Sequence, residues 1–267
     1  MELQPDTTGI VTGASRGIGA ALAQRLALRG VRVGLVARDR EGLEEVARSL
    51  PPASSGDHLV LAADTAKRRE LERAVERFVK RAGWVDILAA NAGIAHYGPF
   101  ADAEIERAEE MVKVNVLGVI YAVHAALPHM LERRRGHIVV TSSGAGLRAF
   151  PEAAVYGATK AADRGFAEAL RHELSGTGVS VTTVYPGEVA TDLHAHERDI
   201  LPDWRSNDDE LPPEQVAEAI VRAIEADRRE VFVPQIVRLL GLNGLSPRLM
   251  DELLARIRGR AAAPRRG

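Results

Sequence analysis

From Thr8 to Val233, short apolar runs alternate with amphipathic segments, and this alternation constrains the fold more than any other feature of the chain. A short unbroken apolar run suits a strand buried on both faces, whereas apolar residues three and four apart make a single helical stripe. Repeated strand, helix, strand order builds a parallel sheet covered by helices on both faces, because a parallel neighbour is reached only through a crossover. Strands are expected at Thr8 to Val11, Val31 to Ala37, His58 to Ala63, Val85 to Ala90, His137 to Thr141, Val179 to Tyr185 and Glu230 to Val233. Helices are expected at Ile18 to Leu28, Arg40 to Leu50, Lys67 to Arg81, Ala101 to Leu131, Ala154 to Leu174, Pro213 to Ala226 and Pro247 to Ile257. Pro51-Pro52 closes the second helix, and a polar stretch, Thr191 to Leu211, interrupts the rhythm. With 267 residues, the expectation is one α/β domain of about seven strands, a lid at about 190–212 and a C-terminal helical extension at about 245–258.

Composition removes several function classes. Zero cysteines exclude disulfides, thiol nucleophiles and cysteine metal sites, so chemistry must use oxygen and nitrogen groups. A formal net charge of -2 gives no basic stripe for nucleic acid. The arginine-rich end, Arg256, Arg258, Arg260, Arg265 and Arg266, reads as a solvated tail. A mean hydropathy of -0.10 describes a soluble globular chain, and no run approaches the roughly 18 apolar residues of a membrane span, so no segment is expected to span a bilayer. Met1 to Asp6 lack a basic start followed by an apolar stretch, so the expectation is a cytoplasmic protein.

Directly after the first strand stands Thr12-Gly13-Ala14-Ser15-Arg16-Gly17-Ile18-Gly19, opening the first helix. Glycines there permit a tight turn and close backbone approach, while the free N–H groups and positive end of the helix meet a pyrophosphate. This strand, turn and helix context predicts a Rossmann-type doubly wound sheet binding a dinucleotide. The end of the second strand usually decides between nicotinamide cofactors, an acid there binding the ribose hydroxyls. This chain instead has Ala37-Arg38, and Arg38 with Arg16 can present planar forks to a 2'-phosphate, so NADP(H) is favoured over NAD(H), although Asp39 stands next door. Asp64 closes the third strand and Asn91-Ala92-Gly93 the fourth, at the carboxyl ends where ligands bind; Asp64 suits the adenine amino group and Asn91 a bracing role.

Tyr156 and Lys160 are one helical turn apart and share a face, and Ser143 lies thirteen residues before the tyrosine. That set can assemble a proton-donating site beside a bound nicotinamide. A free tyrosine has a pKa of about 10, too high for a base near neutrality, and an ammonium one turn away favours the phenolate.

The ordered set Thr12 to Gly19, Asn91-Ala92-Gly93, Asn115, Ser143, Tyr156, Lys160 and Pro186-Gly187 resembles the classical short-chain dehydrogenases/reductases over about residues 8 to 191. The resemblance implies that Tyr156 exchanges a proton with a carbonyl or alcohol oxygen during hydride transfer, and that Lys160 also binds the nicotinamide ribose. It implies that Ser143 donates to the substrate oxygen, with the thirteen-residue interval selecting it over Ser142. Asn115 would hold a water beside the lysine and bend the long helix. Pro186, Gly187, Val189 and Thr191 would meet the carboxamide, Val189 through its backbone and Thr191 through its hydroxyl. The family also implies a homodimer or homotetramer through the helices Ala101 to Leu131 and Ala154 to Leu174, with Ala161, Ala162, Ala167 and Ala169 permitting close packing.

Tyr97, Phe100, Leu147 and Phe150 are expected to wall the substrate pocket, compatible with a lipophilic ketone or aldehyde. His194-x-His196 lacks a supporting carboxylate or cysteine pattern and reads as part of the lid, so no metal is expected. Two other functions compete: a cofactor-sensing regulatory protein without turnover, which would have no need of the intact Ser143, Tyr156, Lys160 and Asn115, and an extended-type epimerase or dehydratase, whose chains are usually longer.

Overall fold

In the computed structural model, which describes residues 1–190, 210–244, 246 and 247, seven parallel strands form one sheet in the order β3-β2-β1-β4-β5-β6-β7. The strands are β1 (Thr8–Thr12), β2 (Arg32–Ala37), β3 (Leu59–Ala62), β4 (Ile87–Ala90), β5 (Gly136–Thr141), β6 (Val179–Pro186) and β7 (Glu230–Val233). The expected strands all form, within a residue or two at their ends. Helices α1 (Gly17–Ala27), α2 (Arg40–Ser49), α3 (Arg68–Ala82), α6 (Ala154–Glu173) and α7 (Pro213–Glu225) cover the faces. The lid, with Thr191, His194 and His196, and the expected terminal helix beyond Pro247 lie outside the described residues, apart from the lid's edges.

Period-two alternation divides the strands between two apolar layers. Val11, Val33 and Leu35 face Leu22 and Leu26 of α1 and Ile220 and Ile224 of α7. Ile10 and Val36 face Leu71 and Phe78 of α3, together with Met130 and Leu170 on the other side of the sheet. Gly34 of β2 fits this second layer because a Cβ there would stand 2.5 Å from the Phe78 ring. At the amino end of the sheet, buried Asp86 accepts from the Thr8 amide at 3.0 Å and from Arg133 at 2.7 Å, stapling β1 to the long helix.

The expected single helix from Ala101 to Leu131 is a composite. A 3-10 turn, Phe100–Asp102, precedes α4 (Ile105–Met111), a π-helical turn (Val112–Leu117) and α5 (Gly118–Arg133). A π turn inserts a residue into the helical repeat and recurs at functional sites. The stretch Ile105–Arg133 is long and apolar enough by composition to cross a bilayer, although no uninterrupted apolar run reveals it. Its most apolar 18 residues are 44% buried, with Ala122, Val123, Ala126 and Met130 in the core against α3 and the sheet.

Strand order reverses between β1 and β4, where chain connections leave in opposite directions and open a crevice at the carboxyl ends. The glycine-rich turn, the Asn91 segment and the β5–α6 connection all converge on this crevice.

Candidate active site

The turn after β1 is a cradle that side chains cannot fill. Gly13 and Gly17 have φ of 67° and 57°, in the left-handed region. At Gly19 a Cβ would collide with the Gly13 carbonyl, and at Gly13 it would stand 2.9 Å from the Ala92 Cα. The first turn of α1 contains no acidic residue, and the Arg16 side chain makes no capping hydrogen bond. Its amino end therefore keeps unspent N–H groups for an anion, and the donor set fits a dinucleotide pyrophosphate. Ala14 is tied to β2 by an N–H bond to the Val36 carbonyl at 3.2 Å, Ser15 lies against Gly42 of α2, and Ile18 packs on the core.

Thr12, which in the sequence only marks the start of the glycine motif, organises the next wall. Its Oγ1 accepts from the amides of Asn91 at 3.0 Å and Ala92 at 3.1 Å, and donates to the Ala89 carbonyl at 3.3 Å. Asn91 Nδ2 returns a bond to the Thr12 carbonyl at 3.2 Å. Asn91 thus braces β1 against β4, and Ala92 and Gly93 are set beside the cradle.

At the end of β2, Arg38 is 63% exposed on its side chain and pairs loosely with Glu110 of α4 at 3.7 Å. Asp39, the residue that could have competed for ribose hydroxyls, caps α2 by accepting from the Gly42 amide at 3.0 Å. Asp64 likewise serves its own turn, accepting from the Ala66 amide at 3.0 Å. On the far side, the Gly187 amide, just past Pro186, bonds to the Val233 carbonyl at 2.7 Å. Val189 bridges Leu211 through the neighbouring groups of Glu188 and Ala190, so its own N–H and C=O are not used by that bridge.

The chemical centre is assembled by α6, β5 and the π turn. Asn115, fully buried, clamps the backbone after Gly93: its Oδ1 accepts from the Ile94 amide and its Nδ2 donates to the Ile94 carbonyl, both at 2.9 Å. The same Nδ2 reaches Thr159 Oγ1 at 3.0 Å, and that hydroxyl donates to the Tyr156 carbonyl at 2.7 Å. Lys160 donates to the Thr141 carbonyl at 2.9 Å and to Asp163 Oδ2 at 3.0 Å. A Cβ on Gly93 would stand 3.5 Å from Asn115 Oδ1 and 3.6 Å from Lys160 Nζ, so all three meet at one point.

Burial works against the Lys160 ammonium, but the Asp163 carboxylate and the nearby Tyr156 outweigh it and hold the lysine above its ordinary value. Burial pushes the Asp163 carboxyl up, with Lys160 pulling against it. The two serines divide as their spacing suggests. Ser142 is buried and donates to the Lys160 carbonyl at 2.7 Å, fastening β5 to α6. Ser143 Oγ accepts from the Ala145 amide at 3.1 Å, leaving its hydroxyl hydrogen to donate elsewhere.

Tyr97 lies 5.9 Å from the Tyr156 ring, centroid to centroid, and both cluster with Ala95, Met111 and Phe150. Phe100 does not join this wall; it opens the 3-10 turn and is 65% exposed. Met111, which no sequence motif marks, takes a place there.

The family model for short chain dehydrogenases matches residues 7–201, well over half of the chain. The chain belongs to the classical short-chain dehydrogenase/reductase family. It is therefore an oxidoreductase with the single-domain, seven-stranded sheet of a short-chain dehydrogenase/reductase. An oxidoreductase of Listeria innocua is 41% identical over 186 residues, which cover 69% of this chain and 75% of that protein. A short-chain dehydrogenase/reductase from Burkholderia phymatum, solved in complex with NAD, aligns with a TM-score of 0.82 at 25% identity over 94% of this chain and 97% of its own. An alcohol dehydrogenase from the archaeon Thermococcus sibiricus, solved with 5-hydroxy-NADP, aligns with a TM-score of 0.75 at 29% identity over 85% and 95%. Between them, these two neighbours carry NAD and an NADP derivative.

Proposed function

We propose that this short-chain dehydrogenase/reductase is an NADP(H)-dependent carbonyl reductase or alcohol dehydrogenase with Tyr156 as general acid and base. The observation that carries the reading is the meeting of Lys160, Asn115 and Gly93 one turn from Tyr156, at the carboxyl end of β5 and beside the glycine cradle. The cofactor, when bound, supplies or takes up a hydride at its nicotinamide ring. In the reductive direction Tyr156 gives its phenolic proton to the carbonyl oxygen as the carbonyl carbon gains hydride. Ser143 donates to the same oxygen, stabilising charge that grows in the transition state. Two of the three Lys160 ammonium protons are committed to Thr141 and Asp163, and the third is available to a ribose hydroxyl.

Gly13, Ser15, Gly17, Ile18 and Gly19 would hold the pyrophosphate, Asp64, Asn91, Ala92 and Gly93 the adenosine side and central wall, and Pro186, Gly187, Val189 and Thr191 the carboxamide. NADP(H) is supported by exposed Arg16 and Arg38 at the ribose end and by the commitment of Asp39 to its helix cap. The substrate is a ketone or aldehyde with an apolar flank, met by Tyr97, Phe150 and Met111. The chain would assemble as a homodimer or homotetramer, supported by exposed Ile105 and Val112 and by exposed Ala161, Ala162 and Ala169; Ala167 instead belongs to the core.

Fluorescence titration with NADPH and NADH, followed by an absorbance screen of ketones and aldehydes, tests the reading. Tighter NADPH binding with turnover is expected. Tighter NADH binding would overturn the arginine assignment, and cofactor binding with no carbonyl turned over would favour the regulatory alternative.

A further inference from the structure

Asp163 is a buried acid that the proposed reaction does not use. Its side chain is 1% exposed, its Oδ2 lies 3.0 Å from Lys160 Nζ, and its Oδ1 meets no hydrogen-bond partner among the described residues. The same face of α6 carries Ala167 and Leu170 at the next turns, both in the apolar layer. The helical pattern would therefore accept an apolar residue at 163. A buried ion pair is weak support for stability, because removing two charges from water costs about what their attraction returns. The carboxylate calls for another explanation, and its single charged neighbour among the described residues is Lys160.

We propose that Asp163 is a positioning residue that pins the Lys160 ammonium and makes the Tyr156–Lys160 pair reluctant to lose a proton, so that the site keeps its proton to higher pH. This rests on the assignment of Tyr156 and Lys160 given above. The geometry sets the sign. Lys160 is faced by Asp163 and Tyr156 on its own helix, by the neutral Thr141 carbonyl of β5, and by neutral Asn115 and Gly93 from the π turn and the loop after β4. Asp163 is thus the one fixed negative charge beside the pair among the described residues. A fixed negative charge raises proton affinity throughout its surroundings, so its removal makes the coupled pair release its first proton more readily, whichever residue gives it up. The held-up Lys160 agrees with that sign.

Two readouts on the full chain test the proposal, with Asp163→Asn and Asp163→Leu. The pH dependence of alcohol oxidation in both variants is expected to break about one unit lower than in the wild type. The chain has only four lysines, so NMR of Nζ-adjacent carbons in labelled protein can follow Lys160 individually. Lys160 in the variants should lose its proton at lower pH than in the wild type. An unchanged pH profile and lysine titration, with only a lowered Tm, would reduce Asp163 to a packing residue. Should neither variant fold, the wild-type titration decides: Lys160 must remain protonated beyond the ordinary value of 10.5, and titration below that value overturns the proposal. Absence of carbonyl turnover in the wild type would sink the assigned activity, whereas the lysine titration would still decide the role of Asp163 by itself.

Discussion

Replacing Thr12 by valine keeps shape and β-propensity but removes the hydroxyl on which the cofactor wall is hung. The residue is 2% exposed, and its Oγ1 accepts from two amides while donating to a carbonyl. Valine would leave the Asn91 and Ala92 N–H groups without their acceptor, and each orphaned donor costs about 1 to 3 kcal/mol when buried. Asn91 and Ala92 are only partly buried, so the lower end applies to each, and the expected loss is about 2 kcal/mol. Urea unfolding of wild type, Thr12→Val and Thr12→Ser measures it, and serine should restore most of the loss. Because the same amides fix Ala92 against Gly13, valine should also weaken cofactor binding about tenfold. A Thr12→Val protein within about 0.5 kcal/mol of wild type, the range of a plain surface change, and with unaltered cofactor affinity would refute the bracing role.

Arg38→Ala should weaken NADPH about ten- to a hundredfold while leaving NADH within about twofold, and Glu110→Gln, by releasing Arg38 from its 3.7 Å partner, should strengthen NADPH in the same titrations. Ser143→Ala should cut kcat about a hundredfold or more with little change in stability, whereas Ser142→Ala should cost about 1 kcal/mol of stability and spare most of kcat. His137 is fully buried and burial pushes its pKa down from 6.5 to about 4. The unfolded chain then binds a proton that the fold rejects, so stability is complete above pH 6.5 and falls as pH drops toward 4, by about 3 kcal/mol. Urea midpoints across that range should show the slope, and His137→Gln should flatten it.

Whatever depends on local pattern is legible in the sequence. The seven strands follow from apolar runs, and α6 from a periodic stripe, because neither needs knowledge of a distant partner. The composite nature of the Ile105–Arg133 stretch is only partly legible: Asn115 stands out as a polar residue inside it, but its partner, the Ile94 backbone, lies 21 positions away. The role of Thr12 is hidden because its partners lie about 80 positions away. Asp39 looks like a rival to Arg38 in the sequence and is instead a cap, although an acid three residues before Gly42 at a helix start is a readable cap. Phe100 and Ala167 depart from expectation because composition tells that a side chain is apolar, and only packing tells which way it faces. Asp163 is in principle readable from its spacing of three from Lys160 on one helix.

The most direct test of the central assignment compares wild type with Tyr156→Phe, measuring NADPH binding by fluorescence and single-turnover loss of NADPH absorbance with a carbonyl substrate identified in the screen. Cofactor affinity should stay within about twofold while hydride transfer slows by at least about a hundredfold, since the phenolic proton donor alone is removed. Tyr156→Phe protein that consumes NADPH at the wild-type rate would contradict the assignment of Tyr156 as the proton donor.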